Sequence, residues 1–221
     1  MHDINPISLY HKLFDEMGPQ HWWPADTKME IVIGAILVQN TNWNNVDLAL
    51  QNLRTVTGLD PKQILNLSVA RLQQLIRPSG FYVNKTKSLL SVLGWFNDHH
   101  YDFSGMVHQY GPKLRHQLLS LTGIGEETAD SLLVYVFDQP AFIADKYARN
   151  LFQFLGCRHI ETYAKLRKRV RLPVDFDYHD AQEFHGLIDE FGKLCKTKEQ
   201  FRKSFLNGFL LQQGLKSEIK K

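Results

Sequence analysis

The chain has 221 residues, enough for one large domain or two small helical ones with a substantial core. Hydrophobic residues make up 43% and charged residues 22%, as in ordinary soluble globular proteins. The net charge of +3 and the pI of about 8.8 permit an anionic partner but do not by themselves indicate one.

The same composition excludes several classes of protein. Cys157 and Cys195 form no zinc-binding pattern and fall short of the four thiolates that hold an iron–sulfur cluster. The N-terminal segment is too polar for a secretory signal, and the longest apolar run, residues 31–38, is too short to span a bilayer. We therefore expect a cytoplasmic protein with reduced cysteines and no membrane association.

Helix signals begin with a capping box at Thr27–Glu30, where a threonine and a glutamate stand three apart before an apolar run. The helix it opens, from Glu30 to about Val38, is apolar on all sides and is predicted to be the buried central helix. Asp60-Pro61 provides an N-cap followed by a proline suited to the first helical position, and Ser68 caps the next helix.

Two further helices are predicted from apolar residues that recur with helical spacing. The first group consists of Leu89, Leu90, Val92, Leu93 and Phe96, and the second of Leu114, Leu118, Leu119 and Leu121. Asp180–Glu183 resembles a second capping box that opens a helix through Leu187 and Phe191. Convincing strands are absent, since the alternating run at 171–177 contains Pro173 and favours a loop. The pattern predicts an all-α protein.

The most informative segment is residues 118–136, LLSLTGIGEETADSLLVYV. One helix is predicted to end at Leu121 and the next to start near Glu126. The turn between them consists of Thr122, Gly123, Ile124 and Gly125. Two glycines let the backbone turn sharply, and N–H groups at a helix start can bind a phosphate, with Ile124 tucked inward as an anchor. An ordinary helix connection is the alternative, but the longer pattern, which includes Thr128, favours a phosphate-binding hairpin.

With the segment Ala141–Asn150, this hairpin resembles the helix-hairpin-helix superfamily of base-excision DNA glycosylases, the endonuclease III family. Asp145 follows Gly125 by twenty positions and matches the family's catalytic aspartate. The resemblance implies that its carboxylate stabilises the sugar cation formed as the base leaves and orients water. The alternative is that Asp145 is only a helix N-cap, and both roles are compatible.

Two other segments are similar to this family. Gln39 ends a run like the family's buried helix, whose glutamine fills the gap left by a flipped base. Phe81 lies in a loop like the one that wedges an apolar side chain into the opposite strand. The alternatives are a solvent-facing glutamine at a helix end and an aromatic residue that covers the core.

The strongest similarity is to the cluster-free subgroup that includes bacterial 3-methyladenine DNA glycosylase III. In that subgroup a Trp-Trp-Pro segment and a later aromatic residue form the base pocket. This implies pocket roles for Trp22, Trp23, Pro24 and Trp43, since aromatic faces attract a flat cationic base. Core packing is the alternative for each tryptophan, above all for Trp23.

Glu127 departs from the family pattern, because bifunctional members carry their nucleophilic lysine at this position. The departure predicts an enzyme that releases the base without cutting the strand. Glu127 then either lines the pocket or is a solvated acid at the helix start. Lys146, beside Asp145, either joins the pocket or is a surface lysine.

We therefore expect two helical domains, residues 25–137 and residues 1–24 with 138–221, and a DNA-binding cleft. The expected partner is double-stranded DNA with a damaged base, bound by a nucleoid-associated monomer. No catalytic metal, cofactor or iron–sulfur cluster is expected, although the resemblance allows a monovalent cation on the hairpin carbonyls. The rival hypotheses are a glycosylase for another base, a lyase that uses Lys146 or Lys193, and a non-catalytic DNA-binding module.

Overall fold

The computed structural model describes residues 2–23 and 25–211 and confirms an all-α fold. In chain order the helices are α1 (Pro6–Met17), α2 (Lys28–Leu37), α3 (Trp43–Thr57), α4 (Pro61–Leu65), α5 (Val69–Ile76), α6 (Tyr82–Asp98), α7 (Phe103–Tyr110), α8 (Leu114–Ser120), α9 (Glu126–Tyr135), α10 (Lys146–Phe154), α11 (Tyr163–Arg167), α12 (Tyr178–Leu194) and α13 (Lys198–Arg202). Two 3-10 turns, Arg77–Ser79 and Gly111–Lys113, precede α6 and α8.

The helices fall into two compact units. The first unit comprises Met1–Pro24 and Gln139–Lys221, and the second comprises Ala25–Asp138. In the first unit, α1 and α10 both pack on the long helix α12. In the second unit, α2 packs against α3, α6 and α9. The core of each unit is therefore built around one helix, α12 or α2.

Helix α2 is buried along most of its length, as its apolar sequence predicts. Thr27 caps it by accepting a hydrogen bond from Glu30 N (3.1 Å). The expected reciprocal bond of the capping box, from Thr27 N to the Glu30 carboxylate, is wrong. The Glu30 carboxylate instead accepts from Asp26 N (3.1 Å) and pairs with Arg54 on α3. No helix in the described part of the chain is long and apolar enough to cross a membrane.

The second predicted capping box is displaced by one turn. Asp177, and not Asp180, is the N-cap of α12, and Asp180 is the third helical residue that completes the box. Glu183 is consequently available for another task, and it accepts hydrogen bonds from the backbone N–H groups of Gln20 and His21. By contrast, Asp60 and Ser68 cap α4 and α5 as predicted.

The expectation that strands are absent is wrong in one place. β1 (His2–Ile4) and β2 (Phe209–Leu211) form a short parallel pair in the first unit. Each strand has three residues, too few for an alternating pattern to be recognised, and the two lie at opposite ends of the described sequence. Residues 171–177 form a loop, as Pro173 predicts.

Candidate functional site

The hairpin of the second unit lies between α8 and α9. Ile124 is only 6% exposed and anchors the turn from inside, whereas Thr122, Gly123 and Gly125 are exposed. Gly123 has φ +78°, and a Cβ atom there would overlap Ser88 Oγ of α6. The turn therefore requires glycine at 123 for two separate reasons, backbone conformation and close packing.

Gly125 serves a different purpose in the same turn. It stands at the N-cap of α9 with φ −89°, which any residue can adopt, and no atom lies within 4 Å of the place its Cβ would take. Glycine has no side chain that could cap α9, and a helix start of this kind is a place where backbone N–H groups can bind an anion. Packing does not explain this glycine, but close approach of a ligand to the backbone would.

An ion pair stabilises the two helices of the hairpin. Arg115 of α8 donates to both carboxylate oxygens of Asp130 in α9, from Nε at 2.7 Å and from Nη2 at 3.0 Å. Asp130 is fully buried, so its charge is held by a bidentate partner. The hydrogen bonds raise the pKa of Arg115 against the opposing effect of its burial. The ion pair thus joins the two helices on either side of the turn.

Gln39 follows the end of α2 and contacts the hairpin directly. Its Nε2 donates to Gly123 O at 3.1 Å and to Thr128 Oγ1 at 3.0 Å. The side chain is half-buried and does not simply face solvent. Three of the residues predicted to contact DNA, Gln39, Gly123 and Thr128, are therefore joined by hydrogen bonds.

Phe81 stands at the N-cap position of α6 with its side chain 65% exposed, which does not fit an aromatic residue that covers the core. Its φ of +47° is unusual for a bulky residue and costs about 1 kcal/mol or more.

Trp43 and Glu127 both lie near helix starts. Trp43 is the first residue of α3 and is half-buried, and Glu127 is exposed in the first turn of α9. Like Phe81, both residues lie in the second unit.

Asp145 lies in the first unit at the N-cap of α10. The side chain is only 7% exposed, and Oδ1 accepts a hydrogen bond from Ala148 N at 2.7 Å. The four residues before it, 141–144, are buried, so the carboxylate sits at the end of a fixed segment. Lys146, the next residue, is exposed. The aspartate is a cap, but its burial is unusual for a residue that only caps a helix.

Trp22 lies against α12 in the same unit. A Cβ added at Gly186 would stand 2.6 Å from Trp22 Cβ, so this glycine lets the tryptophan approach the helix. The ring meets His185 edge-on, with centroids 4.8 Å apart, and meets Trp23 at 5.3 Å. Burial and the Lys193 charge lower the pKa of His185 to about 3, so the imidazole beneath Trp22 is neutral.

Asp189 and Lys193 continue the same face of α12, four and eight residues after His185. Lys193 Nζ lies 2.6 Å from Asp189 Oδ2, 2.7 Å from Glu190 Oε1 and 5.8 Å from the centroid of Trp22. Burial raises the pKa of Asp189 although Lys193 opposes the shift. For Lys193, burial alone would lower the pKa, but the two carboxylates outweigh it and raise the value. The lysine is therefore firmly protonated.

Tyr147 links Asp145 to this charged face. Its ring packs on Gly192, where a Cβ atom would overlap the ring. Burial raises the pKa of the phenol, and the charges of Asp189 and Asp145 add to the effect. Sequence reasoning missed His185, Asp189 and Tyr147. The spacing of four between His185, Asp189 and Lys193, which places them on one helix face, was the available signal.

The predicted site residues are thus divided between the units. Asp145, Lys146, Trp22 and Trp23 belong to the first, and the hairpin, Gln39, Phe81, Trp43 and Glu127 to the second. Pro24 lies outside the described residues. Within those residues, no group of three or more His, Cys, Asp or Glu side chains could hold a metal ion.

The chain is similar to known proteins over most of its length. Residues 33–176 match the family described as HhH-GPD superfamily base excision DNA repair protein. A protein of Methanocaldococcus jannaschii, named provisionally as a DNA repair glycosylase, is 38% identical over 196 residues, covering 86% of this chain and 88% of that protein. Endonuclease III of Thermotoga maritima is 26% identical over 174 residues, covering 76% and 75%.

Solved structures of DNA glycosylases and endonucleases are also similar to this chain. The H. pylori 3-methyladenine DNA glycosylase bound to 1,N6-ethenoadenine is 27% identical with a TM-score of 0.71, and the match covers 86% of this chain and 98% of that one. A non-covalent endonuclease III–DNA complex, 18% identical, has the same fold with a TM-score of 0.70 and covers 88% of each chain. The chain belongs to the HhH-GPD superfamily of base excision DNA repair proteins.

Proposed function

We propose that the protein is a DNA glycosylase that hydrolyses the N-glycosidic bond of an alkylated purine such as 3-methyladenine in double-stranded DNA. The observation that carries the proposal is the Asp145 carboxylate, buried and held at the start of α10 in a chain of this superfamily. The similarity to the H. pylori 3-methyladenine enzyme supports the substrate class.

The reaction needs an anion in a fixed place. As the base departs, positive charge develops on the sugar, and a carboxylate held nearby stabilises that charge and can orient or deprotonate water. The hydrogen bond from Ala148 N holds Oδ1 of Asp145 in place at the N-terminal end of α10. The Asp145 carboxylate is therefore prepared before substrate arrives.

We further propose that the product is an intact strand with an abasic site. Strand cleavage by this superfamily would need a neutral amine to attack the sugar, and Glu127 stands where the resemblance places that lysine. Lys193 is a poor substitute, because its ion pairs with Asp189 and Glu190 keep it protonated. Lys146 is an exposed residue at the start of α10.

The surroundings of Trp22 suit a cationic base. Neutral His185 supports the ring without adding positive charge. Lys193 does add a positive charge, but it is paired with the carboxyl groups of Asp189 and Glu190. Aromatic stacking, with a balance of charge that does not repel a cation, favours an N3-alkylated purine over a neutral base. Trp43 and Glu127 remain candidates for further pocket contacts.

We propose that hydrolysis here proceeds without a redox cofactor or iron–sulfur cluster, because water, Asp145 and a good leaving group suffice for the chemistry and the chain has only two cysteines. The hairpin amides would bind DNA phosphate, and its carbonyl oxygens could also hold a monovalent cation. The protein would act as a monomer on the nucleoid in the cytoplasm.

The direct test is release of bases from duplex DNA treated with a methylating agent, followed by chromatography of the freed bases. We expect 3-methyladenine in the supernatant and strand breaks only after alkali. Release of another base alone, from a panel of oxidised and deaminated duplexes, would overturn the substrate class. Breaks without alkali, with a complex trapped by borohydride, would overturn the proposed product. DNA binding with no release from any duplex would favour a non-catalytic binding module.

A further inference from the structure

Lys85 of α6 is a buried lysine that the reaction does not use. Its side chain is 3% exposed, and Nζ donates to two backbone carbonyls, Leu37 O and Ser79 O, each at 2.7 Å. Among the described residues no carboxylate forms an ion pair with it. Burying an ammonium group without a counter-ion costs free energy, which the two hydrogen bonds to carbonyl oxygens partly offset. The position of these two carbonyls indicates what the buried lysine does.

Each carbonyl belongs to a residue two positions before a side chain predicted to enter DNA. Leu37 is the last residue of α2, and Gln39 follows it by two positions. Ser79 is the last residue of the 3-10 turn, and Phe81 follows it by two positions. One amine therefore joins two segments that are 42 residues apart in sequence, at equivalent points before the two side chains.

We propose that Lys85 is a positioning residue that holds Gln39 and Phe81 at a fixed separation, so that the gap-filling and wedging side chains enter DNA together. The inference rests on the proposed function, since it requires that a base be flipped out. Flipping a base costs a few kcal/mol of unstacking. If Phe81 entered the duplex without Gln39, the space vacated by the flipped base would stay empty.

The charge of Lys85 suits this task. Burial lowers the pKa of the amine to about 8, so most of it is still protonated at neutral pH. Leu37 O belongs to the C-terminal end of α2, where the helix dipole favours a cation and the last carbonyls have no partner within the helix. A charge-assisted hydrogen bond is about twice as strong as a neutral one. The two bonds should therefore keep the segments that end at Leu37 and Ser79 in place when DNA binds.

The rest of α6 extends the same connection to the hairpin. Gly123 packs on Ser88, three residues after Lys85, and Thr122 N donates to Ser91 Oγ at 3.2 Å. Gln39 closes the arrangement through its hydrogen bond to Gly123 O. Within the second unit, α6 thus contacts each segment predicted to bind DNA.

The test uses a duplex with 2-aminopurine opposite an abasic-site analogue, because its fluorescence reports insertion into the gap and needs no catalysis. The variants are Lys85→Met, which removes both hydrogen bonds, and Lys87→Met, a matched change at an exposed lysine of the same helix. At saturating protein we expect Lys85→Met to lose about half or more of the wild-type fluorescence change and Lys87→Met to keep it. Affinity for undamaged duplex should stay the same for Lys85→Met, since neither hydrogen bond of Lys85 is made to the hairpin.

A wild-type fluorescence change from folded Lys85→Met would overturn the inference. So would a wild-type protein that binds this duplex without any change, because no insertion would then occur. If melting curves show that Lys85→Met does not fold, Lys85→Gln is measured in the same way, with a partial loss expected and a full signal overturning the proposal. Failure of the proposed function is seen separately, as absence of base release by a protein that still gives the fluorescence change.

Discussion

The protonation state of the buried His185 side chain sets the charge beside Trp22. The imidazole lies under Trp22 at 4.8 Å and is kept neutral by burial and by the charge of Lys193. A charged imidazole here would add a second cation to a face that already carries Lys193. The neutral state therefore matters for packing and, under the proposed function, for binding of a cationic base.

The same residue predicts how stability depends on pH. The pKa of His185 is about 3 in the folded protein and 6.5 in the unfolded chain, so unfolding takes up a proton between these values. The stabilisation is fully present above pH 6.5 and is lost as the pH falls toward 3. In chemical denaturation, the free energy of unfolding of the wild type should fall relative to that of His185→Phe over this range. Parallel pH profiles for the two proteins would contradict the assignment.

Among the elements, the hairpin separates two uses of glycine. Gly123 is required by the fold, because its φ is +78° and its Cβ would overlap Ser88. Gly125 has an ordinary φ and free space around its Cβ position. The two positions therefore distinguish a defect in folding from a defect in binding.

Gly123→Ala should lower the free energy of unfolding by about 1–3 kcal/mol, because of backbone strain and overlap. Gly125→Ala should change it by less than about 0.5 kcal/mol, yet weaken binding to undamaged duplex, because its methyl group obstructs approach of a phosphate to α9. Denaturation curves and DNA titrations at one fixed salt concentration measure both. A stable Gly125→Ala protein with wild-type affinity would mean that phosphate does not bind at this turn.

The helices could be predicted because their signals are local. The caps at Asp60 and Ser68 and the ends of the hairpin helices follow from adjacent residues. The capping box of α12 was misplaced because Asp177 and Asp180 are both good cap residues, and only the hydrogen bonds distinguish them. The pairing of β1 with β2 is non-local, and no local pattern encodes it.

At the scale of the whole molecule, the predicted site residues are divided between the two units. Asp145 and Trp22 could be singled out because a motif or a resemblance marks them, and their roles remain predictions. Lys85 could not, because the sequence presents it as one more lysine on an amphipathic helix, and its burial depends on α2 and the 3-10 turn. Residues that act by contact with distant segments are the ones that sequence reasoning misses.

We propose that the Asp145 carboxylate performs the chemistry, and the Asp145→Asn variant is the sharpest test of this role. Asparagine can cap α10 by the same hydrogen bond from Ala148 N, so the variant removes the charge but not the cap. The measurement is single-turnover release of 3-methyladenine from methylated duplex, beside a melting curve. We predict a melting temperature close to that of the wild type and a release rate lower by about 100-fold or more. An Asp145→Asn protein that releases the base at the wild-type rate would contradict the account.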